Sequence, residues 1–178
     1  MNKPISYQIL LAGYGGQGIV FLVKLLAQCA FNKGYSFMGT ENHGMSQRGG
    51  SVRCDIKIGD FSMPVIGKGQ ADLILGLDEN ECLRYINFLK KDACIVVNAR
   101  ETFPKVPFSL LQIDANEKIK EQKFQGTKLN IYLLGKVLSS VKNFPFSLIE
   151  VIQALSDLSE NDSQDNIDLL LQSIHNHL

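Results

Sequence analysis

No Cys-x-x-Cys pair occurs in this sequence of 178 residues. Its four cysteines, Cys29, Cys54, Cys82 and Cys94, lie singly within apolar segments. The ligand spacings of iron–sulfur clusters and structural zinc are therefore missing, and the thiols read as reduced core residues. Charge of one sign is missing as well. Eighteen basic residues balance eighteen acidic ones, and such a balance calls for neither nucleic acid nor an anionic membrane. No apolar run approaches the roughly 20 residues of a membrane-spanning helix. Met1-Asn2-Lys3-Pro4 leads into a short strand and not into the apolar region of a signal peptide. The expectation is a cytoplasmic protein with no membrane and no nucleic-acid partner. Internal repeats and low-complexity tracts are absent too. Hydrophobic residues make up 45%, enough for a substantial core. At about 100–200 residues per domain, residues 1–178 are expected to form a single domain.

What is present is glycine in two dense stretches, Gly13–Gly18 (Gly-Tyr-Gly-Gly-Gln-Gly) and Thr40–Ser51 (Thr-Glu-Asn-His-Gly-Met-Ser-Gln-Arg-Gly-Gly-Ser). Glycine repeated in this way serves positive φ or close backbone approach, at an entropic cost that a plain connector need not bear. Around these stretches the pattern is regular. Tyr7–Ala12 reads as a strand, Gln17–Lys33 as a helix closed by Gly34, and Tyr35–Gly39 as a second strand. Thr40–Gly50 follows as a loop. Val52, Cys54, Ile56 and Ile58 alternate with Arg53, Asp55 and Lys57, predicting a half-buried strand whose hairpin partner is Phe61–Ile66 beyond the Gly59-Asp60 turn. The continuous apolar run Ala71–Leu77 predicts a strand covered on both faces. Glu79–Leu89 then reads as a helix, Ala93–Val97 and Leu110–Ile113 as strands, and Glu117–Phe124 and Leu129–Leu138 as helices. Ser147 and Glu150 have capping-box spacing, with Phe146 and Val151 placed as a hydrophobic staple. Ile167, Leu170, Leu171 and Ile174 stripe a terminal helix. The fold class that follows is α/β: a three-layer sandwich around a mostly parallel sheet, with an inserted antiparallel β-hairpin and a helical C-terminal tail.

Gly13, Gly15 and Gly18 satisfy Gly-x-Gly-x-x-Gly between a strand and a helix, where backbone N–H groups and a helix N-terminus can hold an anion. Glu41 stands where a dinucleotide fold places its acidic residue, but the chain then enters a second glycine stretch and a hairpin instead of continuing strand to helix. A nucleotide site and a tight turn without a ligand both remain open. His43 has no accompanying nucleophile and carboxylate at a recognisable spacing, so no catalytic residue is assigned. Arg48 beside Gly49-Gly50 suits a carboxylate or phosphate, or a tie from the loop to a neighbouring acid. His175 and His177 do not share a helix face, and no metal site is assigned.

Taken together, Gly13–Gly18, Glu41–Ser51, Gln70–Leu77 and Val97-Asn98 resemble the gamma subunit or domain of 2-oxoacid:ferredoxin oxidoreductases. The resemblance covers roughly residues 7–100 and continues more thinly through Asn130, Leu134-Gly135 and the helix at Asn166. The His-Gly-Met-Ser-Gln-Arg-Gly-Gly form most resembles the small (beta) subunit of indolepyruvate ferredoxin oxidoreductase. The resemblance implies one part of a multi-subunit enzyme that oxidatively decarboxylates a 2-oxoacid, passes electrons to ferredoxin and traps the acyl group on coenzyme A. It also implies that thiamine diphosphate and the iron–sulfur clusters sit in larger partner subunits, with no cofactor bound by this chain alone and little activity without its partner. Gly13, Gly15, Gly16, Gln17, Gly18, Glu41, His43, Arg48, Gly49 and Gly50 become candidates for a face that docks on the thiamine-bearing subunit or closes the entrance for substrate or coenzyme A. A face of that kind, left uncovered, would favour a homodimer of the isolated chain. The alternatives are a gamma subunit acting on pyruvate, 2-oxoglutarate or branched-chain (ketoisovalerate) substrates, a Rossmann-like nucleotide-binding protein, and a regulatory interaction module.

Overall fold

The computed structural model describes residues 5–44, 49–121, 128–158 and 163–175. Its centre is a six-stranded sheet in the order β2-β3-β1-β4-β5-β6, built from β1 (Ser6–Tyr14), β2 (Phe37–His43), β3 (Ser51–Gly59), β4 (Ala71–Gly76), β5 (Leu89–Asn98) and β6 (Ser109–Ile113). β1, β4, β5 and β6 pair in parallel. β3 runs antiparallel to both β1 and β2, so five strands share one direction and β3 alone is reversed. Helices α1 (Ile19–Asn32), α2 (Glu79–Arg84), α3 (Ala115–Glu121), α4 (Leu129–Ser140), α5 (Leu148–Leu158) and α6 (Ser163–His175) complete the α/β architecture.

The faces of the sheet are covered unequally. On the first, Ile9 and Leu11 of β1 and Val52, Cys54, Ile56 and Ile58 of β3 pack against Leu22, Leu26 and Cys29 of α1 and against α4 and α5. α4 is buried continuously from Leu129 to Val137, wider than the one-sided stripe its sequence suggests, because α6 closes over its outer side. That crossing depends on Gly135, where a Cβ would overlap Ser173 Oγ and come within 2.9 Å of the Leu170 carbonyl. It also turns the buried side of α6 to Asn166, Leu169, Leu170 and Ser173, about one residue round from the apolar stripe, leaving Ile167, Leu171 and Ile174 half-buried. The capping box forms as expected: Glu150 accepts from Ser147 N–H at 2.7 Å, and Ser147 Oγ from Glu150 N–H at 3.4 Å.

The second face corrects several expectations. Phe61–Ile66 is not a strand, since both edges of β3 are already occupied by β1 and β2. The antiparallel hairpin is β2–β3 instead, and Thr40–Asn42, read as loop, belong to its first strand. The predicted helix Glu79–Leu89 stops at Arg84, passes through a 3-10 turn at Ile86–Phe88, and gives Leu89 to β5. Arg53, Asp55 and Lys57, expected to face solvent, are covered: Asp55 is wholly buried and Lys57 is 5% exposed. Arg53 clasps Asp55 through two hydrogen bonds, at 2.7 and 2.8 Å, and lies 4.0 Å from the Phe88 ring centroid. Asp55 also accepts from Ile66 N–H at 2.9 Å. The segment after β3 is thus folded over this face by a buried ion pair with its lone pairs occupied, the condition under which burying charge is tolerable.

Two measurements check this packing. Gly135→Ala should cost about 1–3 kcal/mol through overpacking, seen as a lower urea midpoint, and part of the loss should return when Ser173→Gly is added. Burial raises the Glu150 pKa, but hydrogen bonds from Lys33 and from Ser147 outweigh it and hold the carboxyl below its ordinary value. A depressed carboxyl contributes stability at neutral pH that is lost as pH falls through the folded pKa. Glu150→Gln keeps the capping geometry, so it should be less stable than wild type by under about 1 kcal/mol at pH 7. That difference should vanish in acid.

Candidate functional site

The C-terminal ends of the parallel strands form one crest. β1 leads through α1, on the first face, leftward to β2; β4 leads through α2, on the second face, rightward to β5. With right-handed crossovers, the junction of β1 and β4 is a topological switch point, the place where open α/β sheets leave a crevice. Gly13–Gly18 occupies it. Because β3 is reversed, its first residue, Ser51, lies opposite Tyr14, and the second glycine stretch arrives at the same crest. There Gly15 N–H donates to the Gly50 carbonyl at 2.9 Å. The two stretches singled out from sequence therefore meet through main chain.

Gln17 locks the first stretch. Its Oε1 accepts from Tyr14 N–H at 2.7 Å and its Nε2 donates to the Leu77 carbonyl at 3.4 Å, bridging β1 to β4. The same carbonyl accepts from Asn98 Nδ2 at 3.2 Å, and Asn98 Oδ1 accepts from Ala115 N–H at 3.0 Å. Gly18 has φ +82°, and a Cβ there would overlap the Asn130 side chain, whose Nδ2 donates to the Gly18 carbonyl at 3.1 Å. The side-chain amides of Gln17, Asn98 and Asn130 at the switch point are thus used by the chain itself. That argues for a braced turn over the nucleotide reading.

The remaining candidates are spread along the crest. His43 ends β2 opposite Val52, which is itself opposite Gly13; Glu41 lies two residues earlier on β2, exposed and opposite Cys54. Gly16 and Gly49 have positive φ. Arg48 lies outside the described residues. The glycine pattern and the histidine did not point to Asp78 or Glu81, and reached Ser51 only as the end of the second stretch. Ser51 Oγ donates to Glu81 Oε2 at 2.5 Å, and Asp78 caps α2 by accepting from the Asn80 and Glu81 N–H groups at 2.9 and 3.1 Å. Asp78 above all, then burial and Glu81, raise the Tyr14 pKa. The Asp-x-x-Glu spacing at 78–81 was the available signal. Farther along, Arg100, Asp114, Asn116, Glu117 and Lys120 line an open cleft of about 770 Å³.

The thiols are not activated. Burial pushes Cys29, Cys54 and Cys82 up to about 12, whereas reactive cysteines have lowered values. Among the described residues no group of three or more His, Cys, Asp or Glu side chains is placed to hold a metal ion. No described helix is long and apolar enough to cross a membrane.

Comparison with known proteins matches residues 8–173 to the family described as pyruvate ferredoxin/flavodoxin oxidoreductase. Indolepyruvate oxidoreductase subunit IorB of Thermococcus kodakarensis is 37% identical over 156 residues, covering 85% of this chain and 77% of that protein. In fold, the chain is similar to pyruvate oxidoreductase subunit PORC of Thermotoga maritima, with TM-score 0.76 and 19% identity over 97% of this chain and 96% of that one. It is equally similar to the gamma subunit of a keto/oxoacid ferredoxin oxidoreductase from Geobacter sulfurreducens PCA, with TM-score 0.76 and 22% identity over 94% and 96%.

The bracing role of Gln17 is open to direct measurement. Gln17→Ala should leave the Tyr14 N–H without its partner and lower stability by about 1–3 kcal/mol in urea unfolding, with faster amide exchange concentrated at Tyr14.

Proposed function

Because the chain belongs to the pyruvate ferredoxin/flavodoxin oxidoreductase family, we propose that it is the small subunit of a 2-oxoacid:ferredoxin oxidoreductase acting on indolepyruvate and related aryl pyruvates. In that enzyme a 2-oxoacid is decarboxylated and oxidised, its acyl group passes to coenzyme A, and the electrons pass to ferredoxin. This chain, acting as a single unit in the cytoplasm, binds neither thiamine diphosphate nor an iron–sulfur cluster; both belong to the larger partner. It is inactive alone, and without its partner it self-associates through the uncovered face.

The observation that carries this reading is the meeting of the two glycine stretches through the Gly15 and Gly50 main chain. A surface made of backbone suits docking better than chemistry. In this reading Gly15, Gly16, Gly18, Gly49 and Gly50 form the docking face, Gly13, which is buried, and Gln17 support it from beneath, Glu41 and His43 flank it, and Arg48 pairs with a partner carboxylate or a phosphate. The match to an indolepyruvate oxidoreductase subunit favours aryl substrates.

Anaerobic reconstitution tests it. This chain mixed with its larger subunit, thiamine diphosphate and coenzyme A should reduce a viologen dye with aryl pyruvates, while each subunit alone should not. Arg48→Ala should lower turnover or assembly at least tenfold. Preference for an aliphatic 2-oxoacid would overturn the substrate assignment, and failure to associate would overturn the subunit reading.

A further inference from the structure

We propose that Ser51 and Glu81 form a latch that sets Gly49 and Gly50 in their docking position, an inference that rests on the subunit reading above. Glu81 is wholly buried in the first turn of α2. It stands three residues after the N-cap Asp78, where a glutamate ordinarily turns back to the N-cap N–H and serves its own helix. Here the carboxylate leaves the helix and takes the Ser51 hydroxyl at 2.5 Å. Its other oxygen, Oε1, has no hydrogen bond and lies 3.5 Å from Arg84 Nε. The chain thus keeps a buried carboxyl group, costly unless paired, and gives its Oε2 to the residue that closes the glycine stretch, while Tyr14 of the first stretch also meets Glu81.

The consequences run residue to residue. Ser51 follows Gly50, and Gly50 receives the Gly15 N–H. α2 cannot yield easily, because the Asp78 cap holds the Glu81 N–H and Cys82 is buried against the sheet. The latch therefore fixes the joint between the two stretches from the second face, without adding a side chain to the docking surface. Ser51 and Glu81 are positioning residues: they act through Gly15 and Gly50 and touch no substrate.

The test uses Ser51→Ala, Ser51→Thr, Glu81→Gln and the double variant Ser51→Ala/Glu81→Gln, each in the full chain. In the chain alone, Ser51→Ala should speed amide exchange at Gly15 about tenfold, while the β4 and β5 amides keep their wild-type protection. Affinity for the larger subunit should fall about tenfold and return with Ser51→Thr, which restores the hydroxyl. The double variant should be no worse than Ser51→Ala alone, since with the hydroxyl gone the change at Glu81 has no latch left to weaken. Unchanged exchange at Gly15 overturns the latch. Faster exchange with unchanged affinity overturns its part in docking, as does a loss spread evenly over β4 and β5. A wild-type chain that does not associate overturns the docking reading and this role with it, while the exchange data still decide whether the latch holds the loop.

Discussion

The reversal of β3 is the constraint on which the crest depends. Had the strand after the second glycine stretch run parallel to β1, that stretch would lie at the opposite end of the sheet, roughly a strand length of 20–30 Å away. Antiparallel pairing over Ser6–Tyr14 and Ser51–Gly59 brings Ser51 beside Tyr14, and with it Gly49 and Gly50. The share of the candidate surface that comes from Gly49 and Gly50 follows from this register. A slip of one residue would also exchange Val52, Cys54, Ile56 and Ile58 with Arg53, Asp55 and Lys57 between the two faces. The apolar core under α1 therefore holds the crest in alignment.

The faces of β3 do different work. One carries four apolar side chains into the main core. The other carries a row of polar contacts: Ser51 to Glu81, Arg53 to Asp55 and the ring of Phe88, Asp55 to the backbone of Ile66, and Lys57 above the ring of Phe61. Apolar contact is non-directional and tolerates sliding, whereas a bidentate guanidinium–carboxylate pair and a hydroxyl–carboxylate bond fix orientation. The face nearer α2 is thus built for placement.

Much of this was legible in the sequence because it depends on neighbours along the chain. The strand–glycine–helix start, the alternation of β3 and the Ser147–Glu150 capping box are local signals, and each appears in the structure. The errors share a different cause. Phe61–Ile66 has strand composition, but which edges of β3 are free is settled by residues far away in sequence. Asp55 and Lys57 read as exposed because burial of a charge depends on a partner that no periodicity reveals. The buried side of α6 turned by about one residue because Gly135 lets Ser173 approach closely. At the candidate site, the meeting of the glycine stretches was anticipated, but the bracing by Gln17, Asn98 and Asn130 comes from long-range hydrogen bonds with no fixed spacing.

The position of β1 has a mechanical consequence. It is zipped to β3 along nine residue pairs and to β4 along four, and Gln17 ties its end to the carbonyl of Leu77. A load applied at the crest along the strand axis would act on these bonds together, in shear. The same load across the sheet would open them one by one. The domain is therefore stiff toward a pull along its strands and compliant to peeling at β2 or β6, so a neighbour moving against the crest would transmit that motion to the whole sheet as a lever.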